Sequence, residues 1–399
     1  MNGPIEIVKD VFWVGANDYD TALFENLWPL PRGVSYNSFL IQDEKVVLFD
    51  TVKSCYFPTF LKRIRKTLPD GKGVDYLIIN HMEPDHSGAI EALRNAYPGI
   101  KIIGNNKTLE FLKGFYNIGK NTIEVKDGDT LELGKHKLKF FLTPMVHWPE
   151  TMMSYEVTEG IIFSGDAFGG FGALNGGIFD DEVDTEYFEG EILRYFSNIV
   201  GRYSPMVQKA MKKLKDVGVD INIVAATHGP IWRKNPKTII DLYDRWSKYK
   251  SDPGVVLVFG SMYGNTQTMM EAVARGLTEE GVSNIRMHNI STSHLSFIIR
   301  DIWEFEAAVF GSCTYNTELF PPMKLLLAEL SNRMIKNKIL GLFGSYSWSS
   351  GAFQELKSFQ ESSKWKLVEP TLEIRHAPTQ DELSTLKKLG KNVAKKLGT

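Results

Sequence analysis

The sequence predicts a chain of two α/β units, a layered sandwich of mixed strands followed by a doubly wound parallel sheet of five strands. Three observations carry this expectation. The 399 residues exceed what one ordinary core holds. Apolar strand-like runs alternate with helical ones along the whole length. The rhythm also changes at Lys248-Tyr-Lys-Ser-Asp-Pro-Gly254, where a helical segment at 236–249 meets polar and turn-forming residues before a fresh apolar strand. The expected units are therefore 1–250 and 254–399.

In the first unit, the runs at 36–41 and 46–51 flank the turn residues 42–45 and read as a hairpin. A helix is expected over 57–68, a strand over 75–80, a helix over 89–96, a strand over 100–104 and a helix over 107–116. Two strand pairs follow, within 122–144 and 151–165, then a long helical stretch at 185–217 and a strand at 221–226. Hairpins mixed with crossovers suit a sandwich better than a single parallel sheet. The second unit is stricter: strands at 255–259, 284–289, 307–311, 338–343 and 372–375 are separated by helices at 266–280, 294–303, 322–330 and 351–361. That alternation is the mark of a doubly wound parallel sheet.

Composition excludes several classes of function. Hydrophobic residues make up 43% and charged residues 24%, with a formal net charge of -2. No basic excess marks a nucleic-acid binder, and the lysines at 212–215 and 387–396 fall at helical spacing, as solvated faces do. Residues 1–15 lack the layout of a secretion signal, and no run of eighteen apolar residues occurs, so a cytoplasmic protein that does not cross a membrane is expected. Internal repeats and low-complexity tracts are absent. Cys55 and Cys313 are the only cysteines, which rules out a disulfide framework and any cysteine-ligated zinc or iron-sulfur site. A metal would have to be held by His, Asp and Glu.

The densest chemistry lies in His81-Met-Glu83-Pro-Asp85-His86, directly after the apolar strand at 75–80, so four metal-type ligands fall within six residues at a strand's carboxyl end. In extended geometry His81, Glu83 and Asp85 share one face. Three further candidates take matching places: His147 beyond the strand at 137–143, Asp166 after 161–165 and His228 after 223–227. A single residue of this kind is ordinarily a cap or a satisfied core group. Four strand ends that each deliver a ligand make a stronger case. Asp166 can bridge two ions, since a carboxylate offers about four lone-pair sites. His136, His288, His294 and His376 lack such company and are expected at the surface.

At these positions the sequence resembles the metallo-β-lactamase fold, an αββα sandwich whose hydrolases carry His-x-His-x-Asp-His and later His and Asp ligands. Here Glu83 stands in place of the second His. A carboxylate instead of an imidazole makes the site harder and more anionic, which suits iron better than zinc, and zinc has no redox chemistry. The His-x-Glu-x-Asp-His pattern is similar to that of the flavodiiron proteins. This resemblance implies one iron at His81, Glu83 and His147, the other at Asp85, His86 and His228, and Asp166 between them. It also implies that Tyr195 lies near the irons, although a tyrosine in an amphipathic helix is by default a core residue. Some members carry a His shortly after the bridging Asp. Phe171 stands near that place here and removes a proton donor.

The second unit carries three loops at strand ends. After the first strand comes Gly260-Ser261-Met262-Tyr263-Gly264-Asn265-Thr266, followed by a helix, so hydroxyls and free N–H groups meet the positive end of a helix as a phosphate site requires. Ser312, Cys313, Thr314, Tyr315 and Asn316 follow the third strand; Ser345, Tyr346, Ser347, Trp348 and Gly351 follow the fourth. These loops surround the switch point where such sheets bind ligands. Tyr315, Tyr346 and Trp348 could shield an isoalloxazine ring. This half looks like a flavodoxin, which implies FMN. A dinucleotide site is the weaker reading, because G-x-G-x-x-G is absent.

Metal half then flavodoxin half is the order of the flavodiiron family. The resemblance implies an oxidoreductase with two Fe ions per chain that reduces dioxygen to water, nitric oxide to nitrous oxide, or both. The flavodoxin pattern runs nearly to Thr399, so an external electron donor is expected, rubredoxin or a reduced deazaflavin coenzyme. Two domains of this size have centres roughly 40 Å apart, which fits the family's head-to-tail homodimer or a dimer of dimers. The alternatives are a dinuclear hydrolase with a regulatory flavodoxin-like half, which Glu83 argues against, and a pure electron carrier, which leaves seven candidate ligands unexplained.

Overall fold

Short apolar strands in the first half are sorted into two sheets in the computed structural model, which describes residues 3–398. The first sheet has seven strands in the order Ile5–Val8, Val11–Trp13, Phe39–Ile41, Val47–Phe49, Tyr76–Ile78, Lys101–Gly104 and Thr122–Glu124. The second has five, Thr130–Glu132, Lys137–Leu142, Met152–Glu156, Ile161–Phe163 and Ile223–Ala225. Phe39 and Phe49 of the first sheet meet Phe163 of the second, with ring centroids 5.2 and 3.9 Å apart. Helices connect strands of both sheets, as an αββα sandwich requires.

Three features depart from the sequence reading. The expected hairpin at 36–41 and 46–51 starts late: Val34–Tyr36 pairs instead with Ala16–Asp18, and only Phe39–Ile41 pairs with Val47–Phe49. Between them Asn37 donates to the carbonyls of Ala226 and Gly229, and Ser38 to that of Asp50, so long-range side-chain bonds break the run. The strands within 122–144 divide between the two sheets. The long helix expected at 185–217 is interrupted. Thr185–Tyr195 passes through a π turn at Phe196–Val200 and a 3-10 turn at Gly201–Tyr203 before Ser204–Val217 begins. Pro205 explains the restart, because it lacks an N–H and fits only the first turn of a helix.

The chain divides into two units between Ser247 and Lys248. The helix before the division ends at Ser247 and the next strand, Asp252–Gly260, already begins at Asp252 rather than at 255. In the second unit the parallel strands lie in the order Ile285–Asn289, Asp252–Gly260, Phe305–Tyr315, Ile339–Tyr346 and Leu372–Arg375, with short additions at Glu318–Leu319 and Lys366–Leu367. In chain order this is 2-1-3-4-5, the doubly wound arrangement with its switch point between the first and third strands. Val255, Leu257, Val309, Phe343, Leu386 and Leu389 share its core. The last helix, Gln380–Ala394, packs closely on Asn265–Glu279 because Gly276 stands at the contact; a Cβ there would lie 2.0 Å from the Lys387 carbonyl. Among the described residues, no helix is long and apolar enough to cross a membrane.

Candidate functional site

The seven candidate ligands converge at the carboxyl ends of the sandwich strands, in two groups. His81, Glu83, His147 and Asp166 form one, and Asp85, His86 and His228 the other. The chain between His81 and His86 is not extended. Pro84 opens a short helical turn, Pro84–Ser87, and the N–H groups of His86 and Ser87 bond back to the Glu83 carbonyl. This turn swings Asp85 and His86 away from the face of His81 and Glu83, so the shared face expected for all three holds only for the first two.

In the first group, His81 Nε2 lies 3.2 Å from Glu83 Oε2 and 3.3 Å from Asp166 Oδ2, and His147 Nε2 lies 3.2 and 3.0 Å from the same atoms. In the second, Asp85 Oδ2 is 3.3 Å from both His86 Nε2 and His228 Nε2, and Asp166 Oδ1 is 3.0 Å from His86 Nε2. Donors held about 2.1 Å from one ion at near-tetrahedral or octahedral angles stand about 3.0–3.4 Å apart. The spacings therefore suit one ion in each pocket, with the two oxygens of Asp166 facing different pockets.

The fit to cations shows in what the side chains lack. Among the described residues both Asp85 oxygens are buried without a hydrogen-bond partner, and the ring nitrogens of His86 and His228 face each other at 3.0 Å. His228 Nδ1 donates to the Ser35 carbonyl at 2.6 Å, which turns the lone pair of its Nε2 into the pocket. Protonation tells the same story. Burial opposes a charged His86 or His147, yet the carboxylates around them outweigh it and raise each to about 9; His81 is likewise raised, chiefly by Asp166. Burial would raise Asp166 and Glu83, but the histidines hold both below the usual carboxylate range. Bound cations would take the place of those imidazole protons.

Tyr195, expected near the metal, donates its hydroxyl to Asp166 Oδ2 at 2.8 Å. Burial and then the Asp166 charge hold the phenol far above its ordinary pKa, so it remains a donor. Phe171 is fully buried; its ring packs 5.2 Å from Tyr195 and 5.5 Å from Phe24, which in turn lies 5.3 Å from His228. The pocket of Asp85, His86 and His228 is thus walled by rings that exclude water.

Several residues around the site escaped the sequence reading. Glu150 accepts from His81 Nδ1 at 2.8 Å, Asp50 from the His81 N–H at 3.2 Å, and Thr227 donates to Asp166 Oδ1 at 2.5 Å. Burial raises Asp50 to about 6. Glu25 is an exposed residue, but its carboxyl accepts from Trp28 and is pushed up to about 7 by burial and then by the Glu83 charge. Asp50 and Thr227 close apolar strands as the ligands do, and Glu150 follows His147 by three residues, so a signal was present. His136 was expected at the surface and is instead fully buried, bonded to Glu156 at 3.1 Å. His288 is half-buried against Asp301 at 2.8 Å, because both sit in a packed network with Arg286.

Beside His147 lies a hollow of about 600 Å³ lined by Phe111, Phe115, Met145, Trp148 and Tyr203. In the second unit a separate cradle of about 270 Å³ opens at the strand ends. Ser261, Met262, Tyr263, Asn265, Thr266, Cys313, Thr314, Tyr315, Asn316, Ser345, Tyr346, Ser347 and Trp348 line it, together with Thr317, Ser349 and His376. Three expected residues do not line it. Gly264 precedes the helix with φ +96°, Ser312 is buried, and Gly351 presses on the Thr317 backbone. They shape the loops. The cradle fits a flavin phosphate: the helix Asn265–Glu279 starts at it, and the Thr266 and Ser345 hydroxyls meet there at 2.9 Å. Trp348 and Tyr263 are 76% and 93% exposed, which leaves their rings free to cover a planar ligand.

An αββα sandwich with a paired His and carboxylate centre, joined to a flavodoxin-type sheet, defines the class: a two-unit metalloflavoprotein. Residues 34–229 match the family model described as ODP family beta lactamase, and residues 257–390 match that of flavodoxin. A nitric oxide reductase of Moorella thermoacetica is 32% identical over 400 residues and spans 100% of both chains. The solved rubredoxin:oxygen oxidoreductase of Desulfovibrio gigas superposes with a TM-score of 0.93 at 30% identity over 98% of both chains. A flavodiiron protein from Giardia intestinalis gives 0.93 at 28% identity, over 98% of this chain and 96% of that one. The chain belongs to the flavodiiron proteins.

Proposed function

We propose that this chain is an oxidoreductase that reduces dioxygen to water, nitric oxide to nitrous oxide, or both, at two irons refilled through FMN from an external donor. The observation that carries the proposal is the pair of ligand pockets joined by Asp166, one of which holds Glu83 where a zinc hydrolase has an imidazole. One iron takes His81, Glu83 and His147, the other Asp85, His86 and His228. The irons would supply electrons and open coordination positions for a diatomic gas, and FMN a two-electron store.

The chain's own residues do the rest. Asp166 spans both pockets, Tyr195 keeps a proton on its oxygen within 2.8 Å of that carboxylate, and Phe24 and Phe171 keep bulk water from His228. The loops at Ser261–Thr266, Ser312–Asn316 and Ser345–Gly351 hold FMN, with the phosphate at the helix start. Dioxygen to two waters takes four electrons and four protons; two nitric oxides to nitrous oxide and water take two of each.

The names of the relatives support a donor of the rubredoxin type, with a reduced deazaflavin coenzyme as the other candidate. A head-to-tail homodimer, or a dimer of such dimers, would bring one chain's flavin to the apolar hollow beside His147 of its partner. A cytoplasmic location is part of the same proposal. The dinuclear hydrolase is not favoured, since relatives over the full length are named as reductases. Elemental analysis of protein made with both metals available tests the proposal, followed by anaerobic assays of gas consumption. About two irons per chain are expected, and two zincs without iron would refute it.

A further inference from the structure

We infer that Glu150 is a positioning residue that, acting through His81, makes the pocket of His81, Glu83 and His147 the tighter of the two metal positions and the one that more readily holds a ferric charge. The inference rests on the ligand assignment proposed above. Glu150 is fully buried. Its Oε1 accepts from His81 Nδ1 at 2.8 Å and from the Met82 N–H at 2.9 Å, which directs the lone pair of His81 Nε2 into the pocket. Asn105 Nδ2 donates to the Glu150 carbonyl at 2.5 Å, so the residue is held from its backbone as well. Oε2 has no partner among the described residues, so the donors to this carboxylate are His81 and the Met82 N–H, both on Oε1.

The other pocket is built differently. His228 Nδ1 meets the neutral Ser35 carbonyl, and His86 Nδ1 has no partner among the described residues. The groups that face the pockets directly balance. Each pocket has one carboxylate of its own, Glu83 or Asp85, and each oxygen of Asp166 receives one hydroxyl, from Tyr195 or Thr227. Asp50 is also buried nearby, but it accepts from the His81 backbone N–H and its charge reaches His86 as well as His81; among the described residues, the carboxylate bonded to the far side of a ligand's ring is Glu150. Such a group raises the basicity of the ligating imidazole, and in a low-dielectric interior it favours a trivalent over a divalent ion with little screening. A one-electron oxidant such as ferricyanide, itself reduced to ferrocyanide, would therefore draw its electron from an iron held by His81, Glu83 and His147.

The test uses the full-length holoprotein with Glu150→Gln and Glu150→Asp. Iron per chain is followed under graded chelator, FMN by absorbance, and the potentials by titration monitored with electron paramagnetic resonance. The Gln variant should keep its FMN, lose one iron at chelator concentrations roughly 10–100-fold lower, and retain the second iron as the parent does, with one potential raised. The Asp variant keeps the charge one methylene further back and should fall between; it carries the comparison if the Gln variant does not fold. Unchanged iron affinity and potentials, or equal loosening of both irons, overturn the inference. A parent that binds no pair of irons overturns the ligand assignment itself, and this inference with it.

Discussion

Replacing Tyr195 with Phe isolates the contribution of one hydrogen bond to the bridging carboxylate. The hydroxyl donates to Asp166 Oδ2 at 2.8 Å, and both residues are almost wholly buried. Phe keeps the ring that packs on Phe24, Phe171 and His228. A hydrogen bond to a charged acceptor contributes about 1.5–3 kcal/mol, so the metal-free protein should lose about 2 kcal/mol. For a unit of this size that corresponds to roughly 4–8 °C in Tm. Imidazolium protons already compensate Asp166 without metal, and bound cations would replace them, so the loss should be similar in the two states. Scanning calorimetry of the full chain, with and without metal, measures both numbers on the transition that added metal moves upward. A loss under about 0.5 kcal/mol in either state would refute the account of Tyr195 as a donor to the Asp166 carboxylate.

Three further outcomes are expected. His147→Ala removes one of four donors in its pocket and should lower iron from about two to about one per chain with flavin content unchanged; elemental analysis that still finds two irons contradicts the ligand assignment. Trp348→Ala removes an exposed ring at the flavin cradle and should weaken FMN binding about two- to tenfold, from an aromatic contact of about 0.5–1.5 kcal/mol. A fluorescence titration of flavin-free protein with unchanged Kd contradicts its role. Asp18 is buried, which alone would raise its carboxyl, but donors from Thr21 and Tyr56 hold it at about 2 against an ordinary 3.8. A depressed carboxylate stabilises the fold above its unfolded value and loses that contribution as pH falls from about 4 to about 2. The amount is on the order of 2 kcal/mol, so Asp18→Asn should be less stable at pH 7 and lose less between pH 4 and 2. Parallel stability curves for the two proteins would count against it.

The sequence by itself determined the two-unit organisation, the alternation of strands and helices in the second unit and the inventory of seven ligands. These depend on local patterns: an apolar run ends, and the next residue is His or Asp. Glu83 was legible for the same reason, since its meaning lies in a six-residue motif. What only the tertiary structure decided are the relations between distant segments. The helical turn begun by Pro84 sends Asp85 to a different pocket from Glu83. His81 meets Glu150, 69 residues away, and His228 meets Ser35, 193 residues away. The same holds for His136, whose burial depends on a sheet partner at Glu156, and for Gly264 and Gly351, which shape the flavin loops without lining the cradle. A ligand type is a property of one residue. The charge and direction of that ligand are set by whichever buried group the folded chain brings to its other side.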